Sequence, residues 1–286
     1  KAWRLLLDIY PAGDDADKCY LLSSSSGHGS VAYLTSDTPR AHDQPLASYQ
    51  VALRSATHGL SHGTASLPPS FACPRCNLPP TRPGEPWRPG VMERHIVRCG
   101  QHAKNALHNG LAGQIGLVLK EAGANTGDIK YELPRLRPGD FTRPGDVVWM
   151  NHGGPGHHLL IDASITMAGR NTILRDCARI PGHAARTKEA QKFSKDRRTT
   201  SPVVSRGHRL VPFVLEDGGR FGEHALALLY ELAKDGVHKE RLKAPPLVSS
   251  AQVIAHWTHK WWAQISGWFH YTLAVSLLET TQQALL

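Results

Sequence analysis

The stretch that decides the fold is Gly145-Asp-Val-Val-Trp-Met-Asn-His-Gly-Gly-Pro-Gly-His-His-Leu-Leu-Ile-Asp-Ala-Ser-Ile165. Two runs within it, Asp146 to Met150 and Leu159 to Ile165, are bulky, apolar and too short for helices. The Asn, Gly, Pro and His residues between them end both runs, so each reads as a strand. Each run also carries a carboxylate where a casual charge is not tolerated: Asp146 before Val-Val-Trp, and Asp162 after Leu-Leu-Ile. A carboxylate in such a setting needs a partner.

The pattern extends outward on both sides. Upstream, Ile129 to Leu133 reads as a third strand and carries Glu132. Before it, Leu107, Leu111, Ile115, Val118, Leu119 and Ala122 recur at helical spacing, and Gly123 stands where a C-terminal cap belongs. Downstream, His183 to Arg197 reads as a helix, Arg209 to Leu215 as a strand, and Glu223 to Lys234 as a helix with Ala225, Leu228, Leu229 and Leu232 on one face. The order is helix, three strands, helix, strand, helix, which makes an α/β fold. After a linker at Lys239 to Pro246, Ile254, Trp257, Trp261, Ile265, Trp268 and Thr272 march at steps of three or four. We expect an amphipathic helix whose tryptophan stripe packs on its own protein, stacking on bases or docking on a partner being the alternative.

The five cysteines, at 19, 73, 76, 99 and 177, suit a metal site better than a disulfide framework. Cys73 and Cys76 are spaced for a tight turn that aims both thiolates at one ion. His95 and Cys99 are spaced for one face of a helical turn, and a Pro-rich loop over residues 77–90 separates the pairs. Three thiolates and an imidazole are the expected ligands of a structural Zn²⁺, with His102 as an alternative to His95. Cys19 and Cys177 read as incidental thiols.

Glu132, Asp146 and Asp162, one in each predicted strand, can converge on a hard divalent cation such as Mg²⁺. Lys188, Lys192 and Lys195 on the following helix supply a positive group, and together these are the ingredients of phosphodiester hydrolysis. Taken singly, Asp146 could cap a turn after Pro144-Gly145, Asp162 could pair with an arginine, and the lysines could line an exposed face. Their joint order carries the reading.

From about residue 45 to about residue 235 the chain resembles the C-terminal part of reverse transcriptases from non-LTR retroelements that carry a restriction-like endonuclease of the PD-(D/E)XK class. Cys73-Pro-Arg-Cys76 with His95-Ile-Val-Arg-Cys99 matches that family's CCHC zinc knuckle, and Leu107-His108-Asn109 matches its Arg-His-Asn signature in part. The resemblance implies a restriction-endonuclease-like core of helix, three strands, helix and strand. It implies Glu132, Asp146, Asp162, Lys192 and Lys195 as catalytic residues, with Mg²⁺ on Asp146 and Asp162, and His108 and Asn109 at the DNA. The implied activity is nicking of target DNA in the nucleus to prime reverse transcription, with element RNA as a further partner and a polymerase elsewhere in a longer chain. Leu107 replaces the Arg, Gly145 separates Pro144 from Asp146, and Asp196 stands for the Tyr of the family's Lys-x-x-Lys-Tyr helix. These departures leave open which lysine is catalytic, and keep a decayed copy that binds nucleic acid without cutting it as the alternative.

Composition points the same way. Thirty-three Lys and Arg against 24 Asp and Glu give a net charge of +9, which favours polyanionic partners. No run of about 18 apolar residues is present and Lys1 to Tyr10 lacks a signal-peptide core, so a soluble intracellular protein without membrane contact is expected. The opening Lys1 suggests a piece of something longer. We expect a loosely organised region over 1–70, the knuckle over 71–102, the endonuclease domain over 103–238 and the C-terminal helix over 247–286.

Overall fold

Helix α1, Gly100–Glu121, buries Leu107, Leu111, Ile115, Val118 and Leu119 along one stripe. It ends as its sequence foretells. Gly123 adopts φ 100°, its N–H donates to the Lys120 carbonyl at 3.0 Å, and the Ala124 N–H donates to the Leu119 carbonyl at 2.9 Å. This paired closure satisfies carbonyls that a helix end otherwise leaves open. The computed structural model describes Cys73, Cys76, Asn77 and residues 99–134, 136, 145–167, 173–198, 204–239, 242 and 248–285. The expected N-terminal region, Cys19, most of the Pro-rich loop, His95 and most of the linker lie outside the described residues.

Strands β1 (Ile129–Tyr131), β2 (Val147–Trp149), β3 (Leu159–Thr166) and β4 (Arg209–Glu216) form one sheet in the order β1-β2-β3-β4. The first three pair antiparallel; β4 runs parallel to β3. A parallel neighbour needs a crossover, and here it contains α2 (Leu174–Cys177) and α3 (His183–Arg197). Pro212 sits on β4, an edge strand, where a missing N–H is tolerated.

Both faces of the sheet are covered, which explains why β2 reads as continuously apolar. Val147, Trp149, Leu159, Ile161, Ala163, Val211, Phe213 and Leu215 face the main core with α1, α4 (Glu223–His238) and α5 (Ser250–Leu285). Val148, Leu160 and Leu210 face the other way, against Phe193 of α3.

The tryptophan stripe of α5 is core. Trp261, Ile265 and Phe269 are fully buried, and each such side chain contributes about 1.5–3 kcal/mol relative to exposure. Trp261 Nε1 donates to Glu121 Oε2 at 2.8 Å, and Trp268 lies over Gly110, where a Cβ would fall 2.2 Å from Trp268 Cζ2. No helix among the described residues is long and apolar enough to cross a membrane.

Two helix N-termini are capped from outside their own sequence. Gly182 precedes α3 and Gly222 precedes α4, and neither offers a capping side chain. The Ala185 N–H in the first turn of α3 donates instead to Glu216 Oε1 (3.0 Å), and the His224 N–H of α4 donates to Glu189 Oε1 (3.1 Å). Gly222 leaves the room, since a Cβ there would lie 2.2 Å from Glu189 Oε1.

Candidate active site

Strand pairing assembles the acids. Val147 lies against Ile161 and Val148 against Leu160, and continuing that register by one step brings Asp146 beside Asp162, on the face that α3 covers. Like charges so placed repel unless something compensates. The Asp146 N–H donates to the Ile161 carbonyl at 2.9 Å. Gly145 allows this approach, because a Cβ there would meet the Ile161 carbonyl oxygen at 3.1 Å. The glycine that interrupts Pro-Asp therefore has a packing role.

Two expected strand positions need correction. Glu132 lies one residue beyond β1 at φ 52°, and Asp146 lies one residue before β2. A positive φ turns Glu132 out of the pleat, while its N–H donates to the Asp146 carbonyl at 2.9 Å. Only Asp162 lies within its strand.

Helices on either side complete the cluster. From α3, the Lys192 ammonium pairs with Asp162 Oδ1 and reaches the Ala163 carbonyl at 3.5 Å. Lys195, one turn further, is exposed and pairs with neither acid. From α1, His108 Nε2 stands 3.1 Å from Asp146 Oδ2, and its Nδ1 stands 3.3 Å from Asn109 Oδ1. Leu107, where the resembled family has Arg, is a buried core residue. Asn105, His108, Asn109 and Glu132 line an open cleft of about 460 Å³ beside the acids.

The electrostatics divide the two aspartates. Burial pushes the Asp162 carboxyl above the usual carboxylate range, Lys192 opposes that shift, and the neighbouring Asp146 reinforces it. Burial acts in the same direction on Asp146. There the pairing with His108, the hydrogen bond from Asp162 and the charge of Lys192 outweigh it, and Asp146 falls below the usual value. His108 is raised, first by its pairing with Asp146, against the opposing effect of burial. One carboxyl of the pair thus holds a proton more readily than the other, which is how two close acids coexist without a cation between them. A hard dication would displace that proton, and the oxygen donors fit one.

Of the expected knuckle, Cys73, Cys76, Asn77 and Cys99 are described. The Asn77 N–H donates to the Cys73 carbonyl at 2.7 Å, with Asn77 at φ 56°, a conformation that asparagine tolerates better than most residues. Cys73, Cys76 and Cys99 place their sulfurs within 4.8 Å of one another, Cys73 and Cys99 at 3.4 Å. Sulfurs sharing a tetrahedral Zn²⁺ at about 2.3 Å would lie about 3.8 Å apart, whereas disulfide sulfurs lie about 2.05 Å apart. The separation fits a shared ion and excludes a disulfide. Burial, followed by the neighbouring Cys73 and Cys76, pushes the Cys99 thiol up to about 12. The Cys99 thiol so placed resists ionisation in the absence of a dication, which reverses that preference. His95 and the His102 side chain lie outside the described residues.

Of the histidines at the turn between β2 and β3, the His152 ring packs edge-on against Trp149, and His157 and His158 make local hydrogen bonds and ring contacts. His157 Nδ1 donates to the Gly207 carbonyl at 3.0 Å, the Asn151 N–H donates to His158 Nδ1 at 3.0 Å, and the His158 ring stacks on His208 with centroids 4.8 Å apart. Cys177 is a buried free thiol. Asn105 escaped the sequence reading, though its spacing to His108 and Asn109 on α1 is the helical i, i+3, i+4 pattern that could have found it. The pairing of His108 with Asp146 joins residues 38 apart and had no local signal. No family model matches the chain, and no curated protein or solved structure shows significant similarity to it.

Proposed function

We propose that this protein is a metal-dependent DNA endonuclease module of a retroelement reverse transcriptase, with a restriction-endonuclease-like core behind a CCHC zinc knuckle. The observation that carries the reading is the meeting of Asp162 on β3 with Asp146 just before β2, with the Lys192 ammonium on Asp162. The element order, the net charge of +9 and the cysteine cluster support it.

Asp146 and Asp162 would hold Mg²⁺, which supplies water activation and neutralises phosphate charge when bound. Lys192 is placed to orient the attacking water or to stabilise the negative charge that builds on the phosphate. Glu132 assists from the β1 end, and His108 and Asn109 present polar groups along the cleft beside the DNA. The sulfur cluster, with His95 as fourth ligand, would hold a structural Zn²⁺ and position the duplex.

The test is nicking of supercoiled plasmid in Mg²⁺ by the full chain and by Asp162→Ala, with folding checked by circular dichroism. Loss of nicking in a folded variant is expected; persistence would sink the assignment. A wild-type chain that binds DNA without nicking it would instead mark a decayed, nucleic-acid-binding copy.

A further inference from the structure

The reading above places the cation on two aspartates, yet a nitrogen donor stands closer to Asp146 than a purely carboxylate site requires. His108 Nε2, Glu132 and Asp146 bring one ligand atom each within 4.8 Å of the others, and His108 Nε2 lies 3.1 Å from Asp146 Oδ2. Adjacent ligands of an octahedral ion at about 2.1 Å sit about 3.0 Å apart, and opposite ones about 4.2 Å. The His108–Asp146 separation matches that of adjacent ligands, and Glu132 lies within 4.8 Å of both.

The orientation of the ring adds an independent argument. Asn109 presents an oxygen to His108 Nδ1 at 3.3 Å, so an Nδ1–H donated there leaves Nε2 turned toward Asp146, able to ligate a cation that displaces its proton. Nε2 faces Asp146 Oδ2 directly. Asp146 is 6% exposed, and no donor is aligned on its buried Oδ2. The space between Nε2 and Oδ2, 3.1 Å apart, is one that a proton, or a dication displacing it, can occupy. Metal-ligating histidines commonly donate their other ring N–H to a carbonyl oxygen, as His108 Nδ1 is placed to do toward Asn109.

We propose that His108, Asp146 and Glu132 form a mixed nitrogen–oxygen site that selects Mn²⁺ over Mg²⁺. Mg²⁺ favours oxygen ligands, whereas imidazole is a borderline donor suited to first-row transition ions, and the cleft of about 460 Å³ leaves room for the waters that complete an octahedron. The proposal rests on the nuclease reading through the shared Asp146, and its test separates the two.

The experiment binds Mn²⁺ alone to the zinc-loaded full chain and records electron spin-echo modulation from ligand nitrogen. Nitrogen coupling is expected in the wild type, altered by ¹⁵N-histidine labelling and lost in both His108→Gln and Asp146→Asn. Mn²⁺ affinity should fall about tenfold or more in His108→Gln, because even the partners of a ligand commonly matter that much. The labelling arm needs no variant, so a misfolded His108→Gln leaves the proposal testable. Mn²⁺-supported nicking without nitrogen coupling would overturn the ligand assignment and leave the nuclease reading standing. Coupling that survives His108→Gln would overturn it too, by placing the nitrogen elsewhere. Coupling in a chain that never nicks would uphold the site and remove the nuclease reading.

Discussion

Replacing Glu189 with Gln should make the protein more stable at pH 8 and give no gain at pH 4. Glu189 lies on α3, one turn before Lys192, and is 3% exposed. Burial first, and then the nearby Glu223 and Glu216, push its carboxyl from 4.5 to about 7, against the pull of the His224 N–H and Arg186. The fold therefore keeps a proton on Glu189 up to about pH 7, while the unfolded chain releases it from about pH 4.5. The folded state binds more protons across that window, so this contribution is fully present below pH 4.5 and is lost as pH rises through 7. A gap of about 2.5 units corresponds to about 3 kcal/mol. Glutamine mimics the protonated acid and keeps an oxygen for the His224 N–H, but its added amide protons need acceptors. A gain of about 1–3 kcal/mol at pH 8 is therefore expected. Urea unfolding followed by tryptophan fluorescence at pH 4, 5.5, 7 and 8 reads this as a shift in midpoint at constant slope. Taking the difference between variant and wild type removes other titrations. A difference that stays flat from pH 4 to pH 8 would refute the reasoning.

Gly110→Ala should destabilise by about 1–3 kcal/mol, because its Cβ would overlap the Trp268 ring, and a lowered thermal midpoint would report it. Lys192→Met should lower the nicking rate by about 10²–10³, as loss of a charge-stabilising donor does, whereas Lys195→Met should change it little; single-turnover plasmid assays compare the two. Cys73→Ala should reduce bound zinc and weaken DNA affinity while sparing the Mn²⁺ signal of the acid cluster. Fluorescence anisotropy that shows unchanged DNA affinity would remove the clamp role of the knuckle.

Local physics made much of the fold legible in the sequence. Helical spacing ending at Gly123 gave α1 and its cap, and the apolar runs flanking the Gly-Pro-His turn gave β2 and β3 to within a residue. His183 to Arg197 was read with its observed ends. These features depend on periodicity and turn chemistry, which neighbouring residues carry. The candidate acids were visible for the same reason, since an aspartate inside an apolar run stands out.

Pairing across the chain was not legible there. Antiparallel register set Asp146 beside Asp162, and the crossover helix brought the Lys192 ammonium, rather than that of Lys195, to Asp162. The positive φ of Glu132, the seating of Trp268 on Gly110 and the approach of His108 to Asp146 each join segments that no spacing rule links. A sequence fixes which side chains prefer burial, partners or turns. Which partner each one meets is decided when strands choose register and helices choose a face, because those choices minimise exposed apolar area and unpaired charge over the whole molecule.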